Sequence, residues 1–527
     1  MRFFNTAGPI RPDDHYCIPP LERLDLDGVR TLIEQKKYFV LHAPRQTGKT
    51  SALLALRDLL NAEDSYRCVY VNVEGAQALR EDVEQVMRTL LAGLTSRARL
   101  TLGDEFLGTV WSDILAEVGP GVGLQESLTR WAEASPKPLV LLIDEIDALI
   151  GDALLSVLRQ LRAGYDLRPE GFPQSVVLCG VRDVRDYRIQ STAENAIIAG
   201  GSAFNIKARS LRLGDFSRAE VLALLGQHTE ETGQRFTADA LETVWTQTQG
   251  QPWLVNALAD EACFAGEFAE EWHRPVTADS IHTAREQLIL RRETHLDQLA
   301  DKLQEERVRR VVEPLLSGRG VAETVPDDDL QYTRDLGLVL REGAVAIANP
   351  IYREIIPRAL TYTTQEMAIH HDPAWYIDAN GTLEVGKLLS AFQAFFREHS
   401  EHWVERFQYK EAGPQLLLQA FLQRIVNSGG RIEREYGLGR GRTDLLIVWL
   451  QGEQTRKVVI ECKILHKSLE QTIVEGLEQT AGYMNRCAAE SGHLVIFDRR
   501  AGRRWDDKVF HCRRASADGV AIEVWGV

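Results

Sequence analysis

The segment Ala43-Pro44-Arg45-Gln46-Thr47-Gly48-Lys49-Thr50 constrains this chain more than any other stretch of it. An apolar run, Tyr38–His42, precedes the segment, and Ser51–Leu60 follows it with leucines at helical spacing. The unit therefore reads as strand, loop, helix. A loop of this composition cradles phosphate through inward backbone N–H groups, a lysine that reaches the terminal phosphates and a hydroxyl for Mg²⁺. Gly48 permits the tight turn, Lys49 supplies the charge, and Thr50 supplies the hydroxyl at a helix N-terminus. Ala43 stands where the pattern G-x-x-x-x-G-K-[ST] has its first glycine.

Downstream, Val140–Glu145 reads V-L-L-I-D-E, an apolar strand ending in two acids. Asp144 is expected in the Mg²⁺ shell and Glu145 as the group that polarises the attacking water. The plainer alternative is a pair of helix N-cap acids. Cys68–Val73, Leu139–Ile143 and Val176–Cys179 are further apolar strands separated by helical stretches, which predicts a parallel sheet wound with helices. Arg182, in C-G-V-R-D after the fourth strand, is placed to sense a γ-phosphate or, as an ordinary surface arginine, to pair with Asp183 or Asp186. From Leu211 to Glu305 the pattern is helical. Within it, Gly250-Gln251-Pro252-Trp253 is either a plain interhelical turn or one whose Pro252 packs on an adenine. Asp328–Ile356 reads as a helix and two short strands about a Glu-Gly turn, as in a winged helix.

These residues resemble the AAA+/STAND group of P-loop ATPases over about Leu21 to Leu360. The resemblance implies ATP and Mg²⁺ as cofactors, bound by residues 43–50, Asp144, Arg182 and Pro252. It further implies a switch or assembly motor in which ATP sets the lid and winged helix, with a homo-oligomer and a protein trigger as partners.

A second signature lies far from the first. Gly441-Arg442-Thr443-Asp444 opens an apolar strand, and Val458–Lys463 reads V-V-I-E-C-K. Alternation along a strand puts Glu461 and Lys463 on one face and Cys462 on the other. A hairpin between the two strands brings Asp444 beside Glu461, a hard oxygen pair suited to Mg²⁺ or Mn²⁺. Lys463 can then orient the water or steady the phosphate. The sequence resembles the PD-(D/E)xK nuclease superfamily over about Leu383 to Phe497, with Thr443 in place of proline. The resemblance implies a helical glutamate, for which Glu411 is the candidate and Gln415 the reserve. It also implies a Q-x-x-x-Y helix, here Gln479 and Tyr483, aimed at the active site. Solvated edge residues and an ordinary i, i+4 surface pair are the plain alternatives.

Composition narrows the function. Net charge is −15, whereas proteins that coat nucleic acid nonspecifically are usually basic, so any nucleic-acid contact must be local or the substrate is something else. One local candidate is Asp498–Arg514, where Arg499, Arg500, Arg503, Arg504, Lys508, Arg513 and Arg514 outnumber three acids, with Trp505 and Phe510 interleaved. Such a stretch suits a phosphate backbone, DNA being expected over RNA only through the nuclease reading; the plain alternative is a basic surface that neutralises another domain of this acidic chain. The seven cysteines include no C-x-x-C pair, which fits a reducing cytoplasm. No apolar run approaches the ~20 residues of a membrane span.

The expected layout is an N-terminal arm (1–26), P-loop core (27–210), helical lid (211–305), winged helix (306–360), linker (361–382) and a restriction-endonuclease-like α+β domain (383–527). The expected activity is an ATP-regulated, metal-dependent DNA nuclease. By analogy of layout it would serve bacterial defence or control of mobile DNA. The alternative is an ATP-driven signalling or oligomerisation switch whose C-terminal domain binds without cutting.

Overall fold

The computed structural model describes residues 1–191, 196–265, 271–291, 302–303, 305–316, 325–355, 376–378, 381–407, 418–419, 421–422, 430–438, 441–451, 454–465, 468–498, 500 and 503–527. The chain forms two compact units. One comprises Met1–Leu296 with Pro326–Ile351, the other Asp297–Val325 with Tyr352–Val527.

The first unit is built on five parallel strands: β1 (Tyr38–His42), β2 (Arg67–Asn72), β3 (Leu139–Asp144), β4 (Ser175–Gly180) and β5 (Lys207–Arg212). Their order across the sheet is β2-β3-β4-β1-β5. Strands this apolar need cover on both faces. Helix α1 (Lys49–Ala62) packs Ala52, Leu53, Leu56 and Leu60 on the face of Phe39 and Leu41. Helices at Val83–Leu102, Gly123–Ala134 and Gly151–Ala163 cover the face of Tyr38 and Val40. Four strands stand where the apolar runs predict them. The fifth, K-A-R-S-L-R, has no apolar run to announce it, because an edge strand with one neighbour can keep polar side chains in water. The helical region accordingly begins at Arg218, beyond β5, and not at Leu211.

Helix Arg218–Thr232 opens with a Ser217/Glu220 capping box. Ala238–Thr248, α2 (Pro252–Asp260) and Ala278–Arg291 follow. The proline-rich opening of the chain is folded onto them. Phe3–Phe4 pairs in parallel with His15–Tyr16. Gln227 bridges the backbone N–H and carbonyl of Cys17 at 3.1 and 2.8 Å, and Trp253 Nε1 donates to the Thr6 carbonyl at 2.9 Å. Beyond Pro326, α3 (Asp327–Asp335) leads to a Val339–Ile347 antiparallel bridge closed by Gly343 at φ 79°. The turn falls at Glu342-Gly343, but the two short strands expected around it reduce to this single bridge. The linker segment 361–375 lies outside the described residues.

The second unit carries a mixed sheet of β6 (Gly430–Leu438), β7 (Gly441–Gln451), β8 (Gln454–Ile464), β9 (Ser491–Phe497), β10 (Phe510–Ala515) and β11 (Ala521–Gly526). Its order is β6-β7-β8-β9-β11-β10. The β6–β7–β8 meander is antiparallel, whereas β8–β9 and β9–β11 are parallel. Alternation divides the strands between two cores. Leu445, Ile447, Trp449, Val458 and Ile460 pack with α4 (Val385–Phe407), and Leu446, Val448 and Val459 pack with α5 (Leu469–Cys487). Helix α5 is the crossover that a parallel β8–β9 pair requires.

Gly476 of α5 lies so close to β9 that a methyl there would fall 2.6 Å from both δ carbons of the fully buried Leu494. Gly476→Ala gains about 1 kcal/mol of helix propensity and incurs ~1–3 kcal/mol of overpacking. The expected outcome is a net loss of about 1 kcal/mol, read as a lower urea midpoint for this unit.

Candidate functional site

The topology decides what meets at the loop 43–50. Strand β4 lies between β1 and β3. Its end, Gly180-Val181-Arg182, therefore emerges between the loop and the acids Asp144-Glu145, at the carboxyl edge where open parallel sheets bind ligands. Ala43 N–H donates to the Gly180 carbonyl at 3.2 Å, which ties the loop to that edge. Positive φ falls at Gln46 (58°) and Gly48 (93°), not at Ala43. The first loop position thus has no conformational need for glycine, and alanine fits.

The loop is internally satisfied. The 5%-exposed Lys49 donates to the carbonyls of Ala43 and Pro44, both at 3.0 Å, and Thr47 Oγ1 donates to Pro44 at 2.8 Å. Asp144 has no exposure, and its Oδ2 accepts from Thr50 Oγ1 at 2.7 Å and from the Tyr70 hydroxyl at 3.0 Å. Its Oδ1 accepts the Glu145 N–H at 3.0 Å. Thr50 and Asp144 together present the hard oxygens that a Mg²⁺ ion prefers. Glu145 holds a left-handed φ of 57° at the N-cap of a single 3₁₀ turn, but its side chain makes no capping bond. The plain capping role does not account for it. Burial pushes the Glu145 carboxyl up, with Asp144 and Asp147 adding and Lys49 and Arg45 opposing.

Arg182 is not the surface arginine paired with Asp183 or Asp186 that its surroundings allow. It is 8% exposed and faces α3. Its Nε lies 3.6 Å from Asp335 Oδ2, its Nη2 lies 3.9 Å from Asp328 Oδ1, and its guanidinium stacks 4.8 Å from the Tyr332 ring centroid. These are ion-pair distances, longer than hydrogen bonds. Asp183 instead pairs with Lys207 at 2.6 Å. Gly337, just past α3, approaches the loop so closely that a methyl on it would lie 2.9 Å from Pro44. Burial pushes the Asp335 carboxyl up, and Arg182 pulls it back.

Two residues at this site, Arg23 and Asp147, carry no sequence signal. Arg23 donates to the Thr47 and Gly214 carbonyls at 2.7 and 2.6 Å, joining the arm to the loop. Asp147 accepts the Val181 N–H through both carboxylate oxygens, at 3.1 and 2.8 Å, and fixes the β4 end against the acid strand. Pro252 sits at the first position of α2, behind Gly250 (φ 78°), whose added methyl would fall 2.0 Å from the Phe216 carbonyl. Pro252 shares a pocket of about 660 Å³, including open solvent, with Gln46 and Gly48 of the loop and with the arm.

Residues 32–187 match the family model described as an AAA domain. The N-terminal region is a P-loop ATPase domain of the AAA class. Solved structures similar to the chain include the Walker-type ATPase PABY2304 of Pyrococcus abyssi, at 14% identity and TM-score 0.45, covering 67% of this chain and 99% of that one. The Cdc6p of Pyrobaculum aerophilum aligns at 13% identity and TM-score 0.34, over 69% and 96%. The Thermotoga maritima RuvB Holliday junction branch migration motor aligns at 13% and 0.33, over 63% and 95%. No curated protein sequence matches the chain.

In the second unit, Leu445 pairs with Ile460 across β7 and β8. Asp444 precedes this paired stretch on β7, and Glu461 follows it on β8. Glu461 is 3% exposed, and Lys463, on the same face of β8, donates to its Oε1 at 2.8 Å. Cys462 packs on the opposite face. On α5, Gln479 is exposed and Tyr483 is half-buried beside the apolar cluster, with Arg486 5.8 Å from its ring centroid. Glu411, Gln415 and Arg499 lie outside the described residues. Leu418, Gln419, Phe421 and Leu422, from the expected Gln415–Ile425 helix, are helical. Among the described residues no three metal-ligating side chains gather, and no helix is long and apolar enough to cross a membrane. Arg503, Arg504, Arg513 and Arg514 are exposed. Asp506 engages Arg397 and Arg504, and Glu523 lies 3.6 Å from Arg513.

The raised Glu145 carboxyl fixes the sign of one pH effect. A group whose folded pKa exceeds its unfolded value stabilises below the unfolded pKa, and that contribution is lost as pH rises through the folded pKa. At pH 7 burial of ionised Glu145 therefore weakens the fold. Glu145→Gln should melt higher than wild type at pH 7, with the difference shrinking towards pH 4.5. Parallel thermal melts measure this.

Proposed function

We propose that the chain is an ATP-regulated, metal-dependent nuclease acting on DNA. The reading is supported by the β7–β8 pairing, which ends at Leu445 and Ile460, so that Asp444 and Glu461 are the next residues on the two strands, and by Lys463, which alternation puts on the face of Glu461. This combination of residue types at matched positions serves phosphodiester hydrolysis. In that reaction water oxygen bonds to phosphorus, one P–O ester bond breaks and the leaving oxygen takes up a proton. Asp444 and Glu461 would hold the Mg²⁺ or Mn²⁺, which supplies Lewis acidity and lowers the pKa of bound water. Lys463 orients the attacking water and balances phosphate charge. Glu411, Gln479 and Tyr483 are the supporting candidates. The exposed arginines near the C-terminus would hold the strand's backbone.

In the ATPase domain, Lys49 leaves its loop carbonyls to meet the β- and γ-phosphates, while the loop N–H groups cradle them. Thr50 and Asp144 would hold Mg²⁺, whose charge offsets that of the triphosphate. Glu145 aligns the hydrolytic water. Arg182 provides the coupling. Drawn to a γ-phosphate, it would release Asp335 and free α3, beyond which the chain runs from Ile351 directly into the second unit. A homo-oligomer and a protein trigger fit this scheme, as does a place in defence or mobile-element control.

Lys463→Ala should abolish cleavage of supercoiled DNA in Mg²⁺ or Mn²⁺, and Lys49→Ala should remove the difference that ATP makes. Cleavage that survives Lys463→Ala would refute the nuclease reading.

A second reading draws on the closed Lys463–Glu461 pair, because a buried carboxylate neutralised by lysine is also a common structural ion pair. Under it the second unit binds nucleic acid or protein without cutting, and ATP drives oligomerisation alone. Light scattering with and without ATP, beside a cleavage assay negative under all conditions, would favour it.

The coupling has its own test. Asp335→Asn removes the nearer of the two acids that hold Arg182 and should tighten ATP several-fold while leaving ADP unchanged. An unaltered ATP-to-ADP affinity ratio would refute the role of the Arg182–Asp335 pair.

A further inference from the structure

The pocket beside the P-loop has a wall that the phosphate chemistry does not use. Backbone and side chains of the arm, from Asn5 to Arg23, form one side, and the start of α2 forms another, with Gly48 and Ser51 between them. Ile10, Ile18 and Leu224 make part of the lining apolar. An apolar slot adjoining a phosphate cradle suits the flat face of a nucleobase.

Asn256 lies in this wall, one turn into α2, and is only 5% exposed. Its Nδ2 donates to the Pro252 carbonyl at 2.8 Å. That bond fixes which way the amide faces, because a flip would set carbonyl oxygen against carbonyl oxygen. Its Oδ1 is buried and has no hydrogen-bond partner. A buried acceptor without a donor costs about 1–3 kcal/mol, so an N–H donor brought to this wall by a ligand would be favoured.

Several other polar groups of the wall are already engaged. Asn5 donates to the Gly8 carbonyl and accepts the Ala7 N–H. The Tyr16 hydroxyl meets His228 Nδ1 at 3.3 Å, and Trp253 Nε1 is committed to Thr6. Arg23, whose side chain is the one charged group among the lining residues, spends its guanidinium on the Thr47 and Gly214 carbonyls. No cation in the wall is therefore available to greet a 6-oxo group.

We infer that Asn256 is the base-specificity residue of the ATPase domain: its Oδ1 accepts the exocyclic 6-amino N–H of adenine. A 6-oxo purine would set acceptor against acceptor, and a purine with hydrogen at this position would leave Oδ1 unmet. Guanine and hypoxanthine are disfavoured for the first reason and unsubstituted purine for the second. The arm, pinned to the helical region by Gln227 and Trp253, closes the slot over the base. This inference rests on the P-loop holding a nucleoside triphosphate.

The test is displacement of ribose-labelled N-methylanthraniloyl-ADP from the full chain by ATP, inosine triphosphate, purine riboside triphosphate and inorganic triphosphate. ATP should compete about tenfold better than purine riboside triphosphate, as expected for one buried hydrogen bond, and inosine triphosphate should do no better than the latter. In Asn256→Leu the gap should close through weakening of ATP alone, with purine riboside triphosphate within about twofold of its wild-type value. Equal competition by ATP and purine riboside triphosphate in wild type overturns the inference while leaving the P-loop reading intact. So does a gap that persists undiminished in Asn256→Leu. Failure of the label and of every triphosphate to bind overturns both. The wild-type series decides the matter even if the leucine variant folds poorly.

Discussion

The carboxylate of Asp144 is the interaction on which the first unit depends. It sits without exposure at the end of β3, and three donors from three elements converge on it: Thr50 from α1, Tyr70 from β2 and the N–H of Glu145. A buried carboxylate is costly unless every lone pair is answered. Meeting that demand locks the first turn of the P-loop helix to the two strands beside it. The phosphate cradle and the acid strand are therefore held in register before any ligand arrives. Catalytic geometry of this kind benefits from being built into rigid elements rather than assembled on binding.

Around this centre the cations of the site are turned inward. Lys49 is held by its own loop carbonyls, and Arg182 by two acids of α3. Each is held by groups weaker than a polyphosphate would be, since phosphate oxygens make the stronger charge-assisted bonds. The P-loop and α3 also touch through Pro44 and Gly337. Binding chemistry at the loop is thus adjacent to α3 and the turn that follows it. In that unit the same economy appears on a smaller scale: Lys463 neutralises Glu461 on a face otherwise given to apolar packing.

Much of this was legible in the linear chain. The strand–loop–helix of residues 38–60, the acid strand ending at Asp144 and the E-C-K strand all announce themselves through apolar runs that end in a functional residue. Elements without such a run did not. Strand β5 is polar because it is an edge, and the hairpin strands Arg188–Ser191 and Ala196–Ala199 lack a sustained pattern. The partners of Arg182 are not legible locally, because the acids beside it in sequence are Asp183 and Asp186. The actual partner, Asp335, is over 150 positions away along the chain.

The sequence by itself determined the local chemistry: a glycine where the loop turns left-handed, a lysine and hydroxyl at a helix start, acids at strand ends, and alternation that sorts Glu461 and Lys463 from Cys462. These follow from backbone geometry over a few residues, which a short stretch specifies completely. Only the tertiary structure decided which distant groups meet. It placed β4 between β1 and β3, brought Asp335 to Arg182 and Gly337 to the loop, and folded the arm against α2 so that Asn256 and Gly48 line one pocket. Such encounters arise from the packing of whole elements, whose energy is spread over many apolar contacts, so no single residue in the sequence carries their signature.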